Sequence, residues 1–297
     1  MAVSAPAIEV KVPVPRERTS TKILRLLKRG PVQVVLVVIG LLWLVPTFGL
    51  FITSILPLSD LATSGWWQIF SHPSHATFAN YSALFHNSGL LTALKTTAYI
   101  AVGNTVLVVF VGALAGYAFA WLDFPGRDWL FIAVIALLVV PIQMALIPMF
   151  RLYDTLGLFD TVLGIMLFHV AFGLPFAIFL LRNFFVGLPK DILESARIDG
   201  ASEFRIFIRL ILPLGLPAIA SLAIFQFLWT WNDLIVALTF GQTVQPITVA
   251  IFSNLRQFGA NIDLIAPASF ISLVVPLAVF FAFQRYFVQG LLAGSVK

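Results

Sequence analysis

The chain has 297 residues, of which 60% are hydrophobic and 10% charged, against about 25% charged in an ordinary soluble domain. With 29 Phe, 7 Trp and a mean hydropathy of +1.00, it holds more apolar surface than one water-facing globule can hide, which excludes a soluble protein. The lack of cysteine excludes disulfides, thiolate metal sites and cysteine catalysis.

In chain order, residues 1–30 carry Lys11, Arg16, Arg18, Lys22, Arg25, Lys28 and Arg29 with Pro6, Pro13 and Pro15. They read as a disordered tail running into a basic amphipathic stretch. The apolar run behind it is too long for a signal-peptide core, so it stays in place as a first helix. Uncharged gaps then mark the membrane helices, because about 20 apolar residues at about 1.5 Å each cross about 30 Å of hydrocarbon. Arg29 to Asp60 encloses 30 uncharged residues, Lys95 to Asp123 27, Asp128 to Arg151 22, Asp160 to Arg182 21, Arg209 to Asp233 23 and Asp263 to Arg285 21. Spans are predicted at 32–56, 90–121, 129–150, 161–184, 212–240 and 267–289. None alternates as a barrel strand would.

The predicted fold class is therefore all-α: a polytopic membrane protein with six transmembrane helices over residues 31–289, followed by a short tail at 290–297. The stretches 57–89 and 241–266 are polar enough to read as loops outside the bilayer, or partly re-entrant. Prolines inside the spans (Pro46, Pro141, Pro148, Pro175, Pro217, Pro267, Pro276) let the helices bend and weakly favour a transporter over a rigid anchor. With residue 1 inside, both termini are cytoplasmic. All but Lys95, Arg151 and Arg256 of the 18 Lys and Arg residues then fall on the cytoplasmic side, a strong positive-inside bias. That bias accounts for the pI near 9.7, makes membrane lipid the partner of the basic charge and argues against nucleic acid.

Among the polar residues, Asn104, Gln143, Gln226 and Asn232 lie within spans. They either line a translocation path for a hydroxyl-rich solute or tie helices together by hydrogen bonds. His169 is ionisable and deep in a span, and a functional role and a satisfied structural imidazole both stay open. Asp233 is expected near the outer surface, within reach of an outer-loop cation. His72 and His75 have ligand-like spacing without a third ligand, so no metal site is expected. Trp66, Trp67, Phe70, Phe78 and Tyr81 in the first outer loop form an interfacial belt or a docking surface.

The most informative segment is Gly187 to Pro213. Pro189 suits a helix start, Asp191 and Glu194 complement the positive end of its dipole, and Gly200 suits a left-handed stop. A second short helix is expected from Ser202, with Phe204, Phe207 and Ile208 as its apolar face and Arg205 and Arg209 opposite. The pair would lie on the membrane surface before the next helix rises at Pro213.

Here Glu194, Ser195 and Ala196, then three residues, Gly200, nine residues, and Leu210, Ile211, Leu212 and Pro213 resemble the EAA loop of membrane subunits of binding-protein-dependent ABC importers. That loop reads Glu-Ala-Ala, three residues, Gly, nine residues, Ile-x-Leu-Pro; Ser195 and Leu210 depart from it with side chains of similar size. The Trp229 to Asp233 stretch and the closing Gly290 to Lys297 are similar to carbohydrate-type importers, in particular the smaller membrane subunit of maltose-type systems. The resemblance implies a permease subunit in the inner membrane of a prokaryote, translocating a sugar or oligosaccharide. Glu194, Ser195, Ala196, Arg197, Asp199, Gly200, Leu212 and Pro213 would couple it to an ATPase dimer. A second permease subunit and an extracytoplasmic solute-binding protein are the other implied partners. The chain has no phosphate-loop motif, so no cofactor is expected in it, ATP and Mg belong to the ATPase, and the chain itself is not an enzyme. The alternative is an ion-coupled secondary transporter, against which stands the lack of clear intramembrane acids and internal repeats.

Overall fold

A computed structural model describes residues 19–255 and 261–293, with side chains over 31–255 and 261–285. Lys11, Arg16, Arg18 and Arg256 lie outside those residues, as do the side chains of Lys22, Arg25, Lys28 and Arg29 and those of the closing segment. The chain divides into two units at Gly49 and Leu50. The first is the greater part of one helix, α1 (Thr19–Ser54). Its residues 31–46 are exposed, Trp43 by 78%, and an apolar surface on all sides suits a helix in lipid.

The second unit is helical, with no strand among the described residues. After α2 (Leu58–Thr63), two 3-10 turns (Trp66–Phe70, Pro73–His75) and α3 (Ala79–His86) come the long α4 (Ser88–Trp121), α5 (Arg127–Leu137), α6 (Ile142–Leu156) and α7 (Val162–Val186). The short α8 (Lys190–Ile198) and α9 (Glu203–Ile206) lead through a π-helical turn (Phe207–Ile211) into α10 (Leu212–Trp231). Last come α11 (Ile235–Phe240), α12 (Ile247–Leu255) and α13 (Ile262–Ala293).

Five stretches are long and apolar enough to cross a membrane: Pro31–Ser54, Ser88–Trp121, Val162–Val186, Glu203–Trp231 and Ile262–Arg285. The span expected at 129–150 is not one helix but α5 and α6, bent by 100°. At 11 and 15 residues these reach about 16 and 22 Å, so neither crosses alone. Pro141, extended at ψ 132, cannot continue the ladder of α5, and its ring disfavours helix at Val140.

Three further expectations are corrected. The fifth span stops at Trp231 rather than 240, because the Asp233 carboxylate accepts the amides of Val236 and Ala237 and starts α11. The stretch expected as a loop at 241–266 contains α12 and the first turn of α13, so Pro267 lies inside a helix. The second surface helix expected at Ser202 is not separate, since α9, the π turn and α10 run on as one stretch of 29 residues. Pro213 has no N–H for the Arg209 carbonyl, and the widened turn just before it accommodates the ring. The buried side chains here are Ile206, Phe207 and Ile211, while Phe204 is 70% and Ile208 42% exposed.

Helices α4, α7 and α10 pack on one another. A Cβ at Gly112 would stand 2.7 Å from that of Ala177, and one at Gly116 3.1 Å from that of Leu181. Two small residues one turn apart let α4 and α7 approach backbone to backbone. One buried cluster (Tyr117, Leu181, Phe185, Leu193, Phe207) holds the end that carries α8. Another (Ile100, Tyr153, Phe168, Phe240) holds the opposite end and anchors α6.

Candidate functional site

Two sets of residues stand out, one on α8 and one between α4, α7 and α10. Helix α8 is capped by extended Pro189 and carries Asp191 in its first turn and Arg197 in its last, both favourable to the helix dipole. It ends as the spacing predicts: Gly200 is left-handed at φ 76. The Ala201 amide donates to the Ala196 carbonyl and the Gly200 amide to that of Arg197, both at 3.0 Å, the paired bonds of a Schellman stop. Leu193 is wholly buried and pins α8 to the core. Asp191, Ile192, Glu194, Ser195, Ile198 and Asp199 are exposed, Ile198 by 86%. The Ser195 hydroxyl is turned back onto the Asp191 carbonyl at 2.7 Å.

The helix is also tied by charge. Arg197 Nε donates to Glu203 Oε1 at 2.9 Å and its Nη2 to the Trp121 carbonyl at 3.2 Å. The Tyr117 hydroxyl donates to Glu203 Oε2, and Trp121 Nε1 to the Phe185 carbonyl at 3.0 Å. The Glu203 hydrogen bond holds the Arg197 guanidinium above its ordinary pKa. Tyr117 and Trp121, near the end of α4, therefore tie that helix to the α8 segment. Leu212 and Pro213 open α10 on the far side of the π turn, Leu212 half-buried and Pro213 exposed.

The second set is a seam of polar groups inside the bundle. Asn104 is fully buried; its Nδ2 donates to Thr230 Oγ1 at 2.7 Å and reaches Gln226 Oε1 at 3.5 Å. His169 is 1% exposed, with Nε2 3.4 Å from Asp233 Oδ2 and its ring edge-on to Trp229 at 5.7 Å. Asn104 Oδ1 and both His169 nitrogens have no hydrogen-bond partner, a cost of about 1–3 kcal/mol for each such buried group. His169, Thr230, Asp233 and Thr97 share a void of about 10 Å³, near the lower bound for one water molecule.

Beside this seam Phe172, Gly173, Phe176, Phe225, Gln226 and Trp229 line an open groove of about 250 Å³. Gly173 makes room for the amide, because a Cβ there would stand 2.7 Å from Gln226 Oε1. Phe176 and Phe225 meet edge to face at 6.3 Å. Such walls can stack against the C–H face of a ring while the amide bonds its hydroxyls.

Of the five path residues named from sequence, the fold brings together Asn104, His169 and Gln226. Gln143 is exposed at the start of α6. Asn232 is exposed too, and its Nδ2 donates to the Leu228 carbonyl at 2.7 Å. Asp233 meets His169 and, among the described residues, no outer-loop cation. Sequence reasoning passed over Thr97, Thr230 and the groove aromatics, although a signal was present. His169, Phe172, Gly173 and Phe176 recur at helical spacing on α7, and Gln226, Trp229 and Thr230 on α10, with Asp233 just past its end, repeat the same spacing. His75 Nδ1 lies 2.7 Å from Asp60 Oδ2, and no cluster of three His or acidic side chains suited to a metal occurs among the described residues.

Known proteins resemble this chain in sequence and in fold. Residues 108–292 match the family described as "Binding-protein-dependent transport system inner membrane component". The chain is 48% identical to the osmoprotective compounds uptake permease protein GgtD of Synechocystis sp., over 90% of this chain and 92% of that protein. It is 49% identical to the alpha-glucoside transport system permease protein AglG of Rhizobium meliloti, over 76% of this chain and 61% of that one. A solved bacterial ABC transporter involved in the import of the acidic polysaccharide alginate has a chain of the same fold. Its TM-score is 0.77 at 22% identity, covering 92% of this chain and all of that one. The chain thus belongs to the inner-membrane components of binding-protein-dependent transport systems, the family whose loop its Glu194 to Pro213 segment resembles.

Proposed function

We propose that this chain is the permease subunit of an ATP-driven importer and translocates a sugar or oligosaccharide delivered by an external binding protein. The observation that carries the reading is α8, a short exposed helix with EAA-type spacing, closed at Gly200 and fastened to α4 through Arg197, Glu203 and Tyr117. In this reading Glu194, Ser195, Ala196, Arg197, Asp199 and Gly200 meet a cytoplasmic ATPase dimer, which carries ATP and Mg. Leu212 and Pro213 pass its closure into α10. The α8 end and both termini are cytoplasmic.

The relative named for alpha-glucosides supports a hydroxyl-rich solute. So does the chemistry of the groove, with an amide and aromatic faces and no charged side chain. Asn104, His169, Gln226 and the groove aromatics form this chain's wall of the path. The groove is open, and a second permease subunit supplies the facing wall. The binding protein docks at the opposite end, where Trp67, Phe70 and Phe78 are 59–72% exposed. Transport then follows from differential binding to two states of the bundle.

The test is reconstitution of the chain with its ATPase, second permease and binding protein in vesicles. Uptake of a labelled glucoside is expected only with ATP and binding protein present. Uptake driven by an ion gradient without any ATPase would replace this reading with a secondary transporter.

A further inference from the structure

The 29 residues of Glu203–Trp231 make a helix of about 43 Å, longer than the roughly 30 Å of hydrocarbon it has to cross. Its 20-residue portion Leu212–Trp231, uncharged throughout, already spans that core. The preceding turns, 203–211, therefore stand at the depth of the lipid headgroups. The inner face of these turns is committed, because Ile206, Phe207 and Ile211 are buried and Glu203 is held by Arg197 and Tyr117. The outer face cannot rotate inward.

On that outer face Ser202, Phe204, Arg205, Ile208 and Arg209 line a groove of about 310 Å³. Arg205 and Arg209 are exposed, and neither guanidinium meets a carboxylate or another hydrogen-bond acceptor among the described residues. Arg127, the cation of the α4–α5 turn, differs in this respect: it is paired with Asp123 at 2.9 Å and Asp128 at 3.2 Å. Phe204 and Ile208, 70% and 42% exposed, flank the two arginines. Two free guanidinium forks one helical turn apart suit the oxygens of a phosphodiester. The apolar side chains beside them, at the boundary of the hydrocarbon, suit the glycerol and first methylenes of a lipid.

We propose that this groove is a specific site for an anionic phospholipid. Arg205 and Arg209 grip the headgroup phosphate, while Phe204 and Ile208 lie along the start of its acyl chains. Depth selects lipid over a protein partner: these turns lie at the membrane surface, whereas α8 carries the exposed acids and Ile198 that a soluble protein would meet. A neutral zwitterionic lipid carries the same phosphate with a compensating cation, so the site favours phosphatidylglycerol over phosphatidylcholine.

The test uses the full chain in nanodiscs containing both lipids with matched acyl chains, followed by native mass spectrometry of retained lipid. The wild type is expected to retain phosphatidylglycerol about ten-fold over phosphatidylcholine. The R205Q/R209Q variant should fall towards parity and lose about one bound phosphatidylglycerol per chain. R127Q should retain the wild-type preference, and R205K/R209K part of it. An unchanged preference in R205Q/R209Q overturns the site. So does an equal loss in R127Q, which would mark diffuse charge. Unchanged lipid retention with weakened capture of the ATPase subunit would overturn it in favour of an acidic protein surface. None of these readouts depends on which solute the chain moves.

Discussion

The attachment of α8 and the seam between α4, α7 and α10 treat polar groups in opposite ways. At α8 the contacts that fix the helix are satisfied: Glu203 has partners on both oxygens, the last amides of the helix are bonded, and Leu193 is buried. In the seam Asn104 Oδ1 and both His169 nitrogens lie buried without a hydrogen bond, Nε2 having only the Asp233 carboxylate 3.4 Å away. Satisfied networks give rigidity, whereas an unsatisfied buried group costs free energy that another arrangement can recover. The difference fits a division of labour. Under the function proposed above, the rigid element would transmit force, and the under-bonded seam would open to water or solute when the helices part.

The largest test of this contrast is Gly200→Val. No atom would obstruct the added Cβ, but φ 76 is a region that a β-branched residue avoids at about 1–2 kcal/mol. The end of α8 should unwind or swing. In reconstituted complexes uptake is expected to fall at least about ten-fold, with the chain still folded in the membrane. Uptake at the wild-type rate would detach α8 from coupling and remove one side of the comparison.

Next is His169→Phe, which removes two nitrogens that make no hydrogen bond, one of them 3.4 Å from the Asp233 carboxylate, and keeps a ring of similar shape. Replacing a buried polar group that makes no hydrogen bond is close to neutral or stabilising. Thermal stability should therefore hold or rise while uptake drops several-fold. A parallel fall in both would make His169 a structural residue and the seam an ordinary helix contact. Tyr117→Phe sharpens the other side with a smaller effect. Glu203 keeps Arg197 and loses the hydroxyl, costing about 1–2 kcal/mol. The expected sign is faster hydrogen exchange in α8, with the seam unaffected.

Part of this contrast was legible in the sequence. Uncharged gaps placed α4 and α7 within a few residues, and Gly200 marked the stop of α8, because both are local. The break at Pro141 was not legible: Pro148, Pro175, Pro217 and Pro276 sit inside continuous helices, and nothing local separates them from Pro141. Polarity inside an apolar run made Gln143 and Asn232 look like Asn104, because composition does not say which face of a helix meets a neighbour. The spacing of His169, Phe172, Gly173 and Phe176 and its echo from Gln226 to Asp233 did carry that information. Only the packing of α7 against α10 turns two stripes into one site. The Tyr117 to Glu203 contact joins residues 86 apart, beyond any window in which pattern can be read.

The smallest expected effect tests whether the rule of satisfied contacts extends to the end of the molecule opposite α8. Asp160 sits at φ 55. Its Oδ1 accepts the amides of Gln242 at 2.7 Å, Thr243 at 2.8 Å and Val244 at 3.0 Å, and its Oδ2 the Thr243 hydroxyl at 2.6 Å. Desolvation alone would raise its pKa, but the Thr243 hydroxyl and the amides of Val244, Thr243 and Gln242 outweigh it and hold the carboxyl at about 2, below the ordinary 3.8. A depressed folded pKa means that the clamp contributes fully above the ordinary value and is lost as pH falls through the folded one. Hydrogen exchange of residues 240–246 in the wild type should accelerate, relative to Asp160→Asn at the same pH, as pH drops from about 4 to about 2. At pH 6 the variant should exchange several-fold faster, since an amide offers one acceptor oxygen where the carboxylate offers two. The effect on stability is small because the carboxylate is near solvent and screened. If the variant leaves exchange at pH 6 unchanged, this loop is ordered by packing alone. The link between satisfied polar contacts and rigidity would then be confined to α8.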